Sequence, residues 1–454
     1  MVLTLVNLGD DVLLNICAEI FEDTPRERVA LSWCGETRME NEPPRFFPGP
    51  PNELLLDLAP MHSQLASATR PYIWREVLVA FGSYDTTERG SNRFERAQQP
   101  HIAPYVQALF LSFNFFGDSD DYVPQMVSAV SKFTGLRAVC LGTFQSYSQP
   151  RMYAPLAKAI RAHPRIDTLV VWHMTRSTDL IAPGNSRPYH IHLEYCHEGS
   201  AAVLAKPKCL VSLSLQNMEL QNLAKHLPAD VWDTLQYLAP GPDMEDVDHN
   251  FIQKSLMAYI NSGRTPALRS LDLSDVSMYD SGFKGWLQLG NHLPLLRSFT
   301  FAPRSTTTID KAKAMLKAFR HVRRLHFVAP SVEDYEDDSN SDSDEEQLEL
   351  NFEFVNLLSK MPLEHLILDV WIAGDYLLDE DAPEEFGEIA VDELADACEK
   401  LRSVQLRYLW EDMEEDAPVV VEYSIKRSET NDAEFEVTEP KPLEGTLLAF
   451  LDWR

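Results

Sequence analysis

Basic residues are few in this chain of 454: 40 Lys and Arg stand against 70 Asp and Glu, a net charge of −30 with His neutral. That balance argues against nucleic acid or an anionic membrane as a partner held through the overall field. Cysteine is also sparse. The six, Cys17, Cys34, Cys140, Cys196, Cys209 and Cys398, follow no framework spacing, so a reducing compartment is expected. No run approaches the ~18 apolar residues that a bilayer-spanning helix needs. The N-terminal MVLTLVNLGDDVLLNI lacks a basic residue ahead of its apolar part and carries two aspartates, unlike a secretory signal. A cytoplasmic or nuclear protein is the expectation. Catalytic motifs are missing too, with no nucleophile elbow, phosphate-binding glycine loop, HExxH or paired CxxC. The chain is read as a binding protein, not an enzyme, with no cofactor.

What is present is a pattern, clearest from Ser262 to Phe301. Leu268, Leu271 and Leu273 stand at offsets one, four and six, and Leu296, Phe299 and Phe301 repeat those offsets 28 residues later. Between them lies the helix-like GFKGWLQLGNHLP. Period-two alternation puts Leu271 and Leu273 on one strand face and Ser270, Asp272 and Ser274 on the other. The template recurs ten times, starting at Val106, Leu136, Ile166, Leu210, Leu235, Leu268, Leu296, Val322, Leu363 and Leu401. Pro240 takes the third apolar position of its unit and cannot donate to a parallel ladder, which predicts a short or bulged strand there. YVPQMVSAVSKFTG, MYAPLAKAIRAHP, IDKAKAMLKAFRH and VDELADACEK, each just ahead of a strand, space their apolar residues by three to four and predict helices.

A short strand after a helix, ten times over, resembles the leucine-rich-repeat family of the irregular, long-repeat kind, over about residues 101–410. The resemblance implies an α/β leucine-rich-repeat horseshoe solenoid of about ten irregular repeats. Such a chain can be long without one large core, since each repeat packs only on its neighbours.

Ahead of the repeats, residues 3–22 place Leu8, Val12, Leu13, Ile16 and Ile20 along one helical stripe, with Asp10 and Asp11 at its start, where carboxylates suit the helix dipole. A second helical stretch begins at LLLDLAPMHSQLASATRPYIWREVLV. Leu8-Gly9-Asp10-Asp11-Val12-Leu13-Leu14-Asn15-Ile16, Leu56-Asp57-Leu58-Ala59 and Tyr72-Ile73-Trp74 together resemble an F-box, the helical module that docks a Skp-type adaptor of cullin-RING ubiquitin ligases. The chain departs from that family in having Gly9 where proline is usual, Leu65 where tryptophan is common, and roughly thirty extra residues between the halves. The order of F-box then leucine-rich repeats, as among fungal proteins, implies a substrate-recognition subunit. Its adaptor contacts would be Leu8, Val12, Leu13, Ile16, Ile20, Leu56, Leu58 and Trp74. The alternative is a leucine-rich-repeat interaction scaffold without ligase connection, its terminal helices only capping the solenoid.

The domains expected are an F-box-like module over 1–80, a linker over 81–100, the solenoid over 101–417 and a β-hairpin cap over 418–454. The last rests on two alternating strands in VVVEYSIKRSETNDAEFEVTEPKP. Residues 333–416 hold 29 Asp and Glu against 4 Lys and Arg, so nearly all the excess acid lies there. Within it, 332–349 has ten carboxylates and no base, which predicts a disordered insertion. Ser339, Ser341 and Ser343 each have an acid three positions on, the pattern acidophilic kinases prefer; a purely solubilising stretch is the other reading.

Two further groups stand out. His190, His192, Cys196 and His197 include metal-ligand types, yet they match no zinc spacing, so a histidine-rich insertion strand is the reading taken and no metal is expected. Repeat geometry puts positions three, five and seven of each unit on the concave face. These are Ala108, Phe110, Ser112, Ala138, Cys140, Gly142, Thr168, Val170 and Trp172 early, and Arg324, His326, His365, Ile367, Asp369, Gln405 and Arg407 late. Trp172, Arg324, His326, His365 and Arg407 are therefore candidate target contacts. Internal pairing with carboxylates is the competing account of the four cationic ones.

Overall fold

The structure, a computed structural model, describes residues 9–23, 59–61, 63–81, 94–113, 122–143, 154–172, 189–194, 209–216, 227–240, 246–273, 280–301, 308–330, 350–372, 382–410, 419–427 and 433–438. The chain divides into two compact units, with the break between Val231 and Trp232.

The first unit opens on two helices, α1 (Asp10–Asp23) and α2 (Ser63–Ile73). Six strands follow: β1 (Glu76–Phe81), β2 (Ala108–Phe113), β3 (Ala138–Thr143), β4 (Thr168–Trp172), β5 (Tyr189–Glu194) and β6 (Leu210–Gln216). They pair in chain order and all in parallel. Helices α3 (Tyr122–Lys132) and α4 (Ala154–Ala162) fall where the three-to-four spacing predicts them.

The second unit alternates β7 (Tyr237–Ala239), α5 (Asp246–Asn261), β8 (Ser270–Asp272), α6 (Asp280–Gly290), β9 (Ser298–Phe301), α7 (Ile309–Ala318), β10 (Arg324–Val328), α8 (Phe352–Leu358), β11 (His365–Ile372), α9 (Ala382–Ala397) and β12 (Ser403–Trp410). These strands are parallel wherever their pairing is defined. Local chemistry sets the helix starts. Thr308 Oγ1 accepts from the Lys311 amide ahead of α7, and Asn351 Oδ1 accepts from the Glu353 and Phe354 amides ahead of α8. The unit ends in an antiparallel hairpin, β13 (Val419–Arg427) and β14 (Ala433–Thr438), laid against β12 as the alternating pattern predicts.

A strand begins at or two residues after every one of the ten template positions, and all ten first-position residues are 4% exposed or less. The fourth-position residues, from Leu109 to Val404, are equally buried, so this face is the helix-side core. In the second unit it is strongly aromatic. Phe299 stacks on Phe319 with centroids 4.0 Å apart, and Phe327 meets Phe301 at 5.1 Å and Phe354 at 5.7 Å. Strand β7 has three residues and stops ahead of Pro240, as the missing donor requires.

Three expectations need correction. The helical reading of the second N-terminal stretch fails at Glu76, where β1 begins and pairs in register with β2, so a module boundary at residue 80 would cut a strand. Its Val77 is fully buried, and β-branched side chains favour that setting. The 81–100 segment is not purely a linker, since Phe94 and Ala97 are buried and Phe94 meets Phe133 edge-on at 6.5 Å. Finally, the stretch from Ile166 to Leu210, counted above as one repeat, contains a rung of its own, β5, between β4 and β6. The acidic stretch 332–349 lies outside the described residues, and so do Ser339, Ser341 and Ser343.

Candidate functional site

Helix α1 splits the apolar residues that its stripe groups together. Leu13 and Cys17, one turn apart, are buried with Leu65, Ala68 and Ile73 of α2, and Ala59, Tyr72 and Trp74 pack around them. The Tyr72 hydroxyl donates to the Leu14 carbonyl at 3.3 Å, tying the two helices. On the other side Val12 is 41% exposed and Leu14 39%, while Ile16 is partly buried. Leu13 is thus a core residue of the pair and not an exposed contact. Leu14, absent from the predicted set, is on the open face. Of the remaining adaptor candidates, Leu8, Leu56, Leu58 and the side chain of Ile20 lie outside the described residues.

In the first unit the sheet face opposite the helix-side core carries two in-register rows: Ala108, Ala138, Thr168, His190 and Ser212, then Phe110, Cys140, Val170, His192 and Ser214. All ten side chains are buried, five of them as an apolar cluster, so this is not the open surface expected. His190 and His192 do share a face, but their neighbours there are Thr168, Val170, Ser212 and Ser214. Hydroxyl and aliphatic groups are not a zinc ligand set. Among the described residues no three His, Cys, Asp or Glu gather as a metal site; Cys196, His197 and the Trp172 side chain lie outside them.

The four late cationic candidates occupy neighbouring register positions, as predicted. Arg324 stands opposite His365 and then Ser403, while His326, Asp369 and Arg407 converge across β10, β11 and β12. Two of the four meet on one carboxylate. Asp369, 4% exposed, has its Oδ1 3.0 Å from His326 Nε2 and 3.2 Å from Arg407 Nη1. The same Arg407 nitrogen lies 3.3 Å from His326 Nε2. Since Nε2 cannot donate to the carboxylate and accept from the guanidinium at once, the carboxylate takes both donors. Burial would raise the Asp369 pKa, but His326 and Arg407 outweigh it and hold the carboxyl below its usual value. Internal pairing, not a vacant cationic patch, is what this triad provides.

His365 Nδ1 is 2.8 Å from Ser403 Oγ. Burial holds its imidazole pKa below the ordinary 6.5, Arg324 pushing the same way and Glu364 opposing. Just below pH 6.5 the unfolded chain therefore binds a proton that the folded chain does not, so stability rises with pH across that window and levels off above it. Urea unfolding of the wild type and His365→Gln, compared between about pH 5 and 7.5, is expected to show this slope only in the wild type.

Position two of the template carries a feature that its apolar offsets conceal. In the second unit this column reads Gln236, Arg269, Arg297, Arg323, Glu364 and Arg402, each backbone amide bonding to the preceding member's carbonyl at 2.7–2.9 Å. Aligning the repeats on their second residue would have revealed it. Arg323 is bound to Glu364 at 2.9 Å, while Arg269, Arg297 and Arg402 are exposed and have no ion pair among the described residues.

No family model matches the chain, and no curated protein does. Among solved structures it is similar to one described as the crystal structure of a TLR13-ssRNA13 complex, with 15% identity and a TM-score of 0.34, covering 72% of this chain and 37% of that one. It is also similar to one described as the crystal structure of the Rad7 and Elc1 complex in yeast, with 12% identity and a TM-score of 0.39, covering 84% and 86%. The chain thus spans little more than a third of the length of the first. Neither likeness, at these scores, bears on what the chain binds. Among the described residues no helix is long and apolar enough to cross a membrane.

Proposed function

We propose that the chain is the substrate-recognition subunit of a Skp-cullin-F-box ubiquitin ligase, with α1 and α2 docking a Skp-type adaptor and the repeats holding a target protein. The observation that carries this reading is the division of α1. Leu13 and Cys17 already fasten the helix to α2, yet Val12 and Leu14 remain exposed beside them, as does Met61 at 72%. A helix that has found its core partner gains nothing from further exposed aliphatics unless something else covers them. No catalysis is assigned to the chain itself, and no cofactor.

The test is copurification with a Skp-type adaptor. Val12→Glu with Leu14→Glu is expected to abolish capture while leaving the circular dichroism spectrum and melting temperature unchanged, since charged groups cannot enter an apolar interface unpaired. Capture that survives the double substitution, or a wild type that never captures the adaptor, refutes the reading. The scaffold alternative has one observation of its own: α2 runs within three residues into β1, the first strand of the ladder, which is where a cap would sit.

A further inference from the structure

Residues 261–330 carry eleven Lys and Arg against four Asp and Glu, a net +7 in a chain whose total is −30. The fold places part of this excess in single file. From Arg269 through Arg297, Arg323 and Glu364 to Arg402, five successive rungs are linked amide to carbonyl, and at about 4.8 Å per rung the file is roughly 19 Å long. One carboxylate, Glu364, serves four guanidinium groups, and it lies on Arg323. Arg320 and Lys400 are exposed two to three residues before the file's Arg323 and Arg402, and at Arg402 the file meets a cleft of about 460 Å³ lined by Lys400 and Arg427 together with Glu364 and Glu399. Like charges on adjacent strands repel and oppose folding. Neither Arg269 nor Arg297 recovers that cost from a described carboxylate.

We propose that this file is a docking edge for an extended acidic segment of a partner protein, carboxylate-rich or phosphorylated. A strand-like peptide of about six residues matches its length at roughly 3.3 Å per residue. The guanidinium groups supply charge-assisted, bidentate hydrogen bonds to carboxylate or phosphate oxygens, which an ammonium group cannot reproduce. A protein segment fits better than single-stranded nucleic acid. Among the described residues no large aromatic side chain is exposed along the file to stack a base, and the chain's overall negative charge repels a long polyanion while a short local segment escapes most of that field. The inference goes beyond the adaptor reading, since the file belongs to neither α1 nor α2.

The test uses the full chain and fluorescence anisotropy with three labelled probes: an alternating Glu-Ser peptide, the same peptide with phosphoserine, and an RNA oligonucleotide of equal charge. Saturable peptide binding is expected, weaker at higher salt, and the tighter of the two peptides identifies the chemistry preferred. Arg269→Glu with Arg297→Glu is expected to weaken it at least ~10-fold. Lys254→Glu with Lys284→Glu, the same charge change on exposed helix positions, is expected to leave it within about two-fold. Should the Glu pair fail to fold, Arg269→Gln with Arg297→Gln removes the charges without reversing them, and a several-fold loss is expected. The proposal is overturned if neither peptide saturates, if the lysine pair weakens binding as much as the arginine pair, or if the RNA binds more tightly than both peptides.

Discussion

Asp369→Ala is expected to destabilise the second unit by about 3–5 kcal/mol, the cost of leaving a buried charge without its partner. The side chain of Arg407 is only 12% exposed and that of His326 17%, so water cannot replace the lost carboxylate. The loss acts on three strands at once, because Asp369 on β11 holds groups from β10 and β12. Asp369→Asn keeps the shape and one acceptor and is expected to cost less. Replacing Asp369 and Arg407 together by leucine and methionine is expected to recover most of the stability, since removing both charges leaves nothing unpaired. Acid has a defined sign here. A carboxyl held below its ordinary value contributes stability that is present above the unfolded-state value and lost as pH falls through the folded one. Acid unfolding should therefore begin at higher pH once Asn replaces Asp369. Urea denaturation decides the matter: a loss below about 1 kcal/mol for Asp369→Ala would show that the triad is not a structural clasp.

Leu13→Ala is the second large effect, expected at about 2–5 kcal/mol and confined to the helix pair. Leu13 is 1% exposed at the centre of a cluster with Cys17, Leu65, Ala68 and Ile73 among the described residues, and its removal leaves a space between two packed helices. Amide exchange in α1 and α2 should accelerate while β8 to β12 keep their protection, since each repeat draws its core from its neighbours. Val12→Ala, one residue away and 41% exposed, should change stability by no more than about 0.5 kcal/mol. If both substitutions loosen α1 equally, the division of that helix into a fastened face and a presented face is wrong. That would remove the support for adaptor docking.

The repeat register was legible in the residues because burial within a strand is a local, period-two property. Leu268, Leu271 and Leu273 announce their rung without reference to anything distant, and all three are buried. The same holds for helices α3, α4, α7 and α9, whose three-to-four spacing is also local. Strand β5 is legible as a histidine-rich insertion strand but not as a rung, because Tyr189-His190-Ile191-His192-Leu193 alternates yet lacks the leading template position, and its pairing with β6 slips between Tyr189 and His190. Strand β1 was hidden by an apolar run that continues the helical stripe of α2.

What a residue does across rungs could not be read this way. Arg407 and Asp369 are 38 positions apart, His326 a further 43, and whether the three converge depends on loop lengths and helix packing that set one strand's register against the next. The file of Arg269, Arg297, Arg323 and Arg402 is within reach of the sequence, since its members share the second template position, but that Glu364 answers Arg323 follows only from the register. Sequence by itself determined which side chains are buried against the helices, since alternation and helical period act within a few residues. Tertiary structure alone decided which charges are answered by a neighbour, and which face of α1 is fastened, because those depend on contacts between segments that only folding brings together.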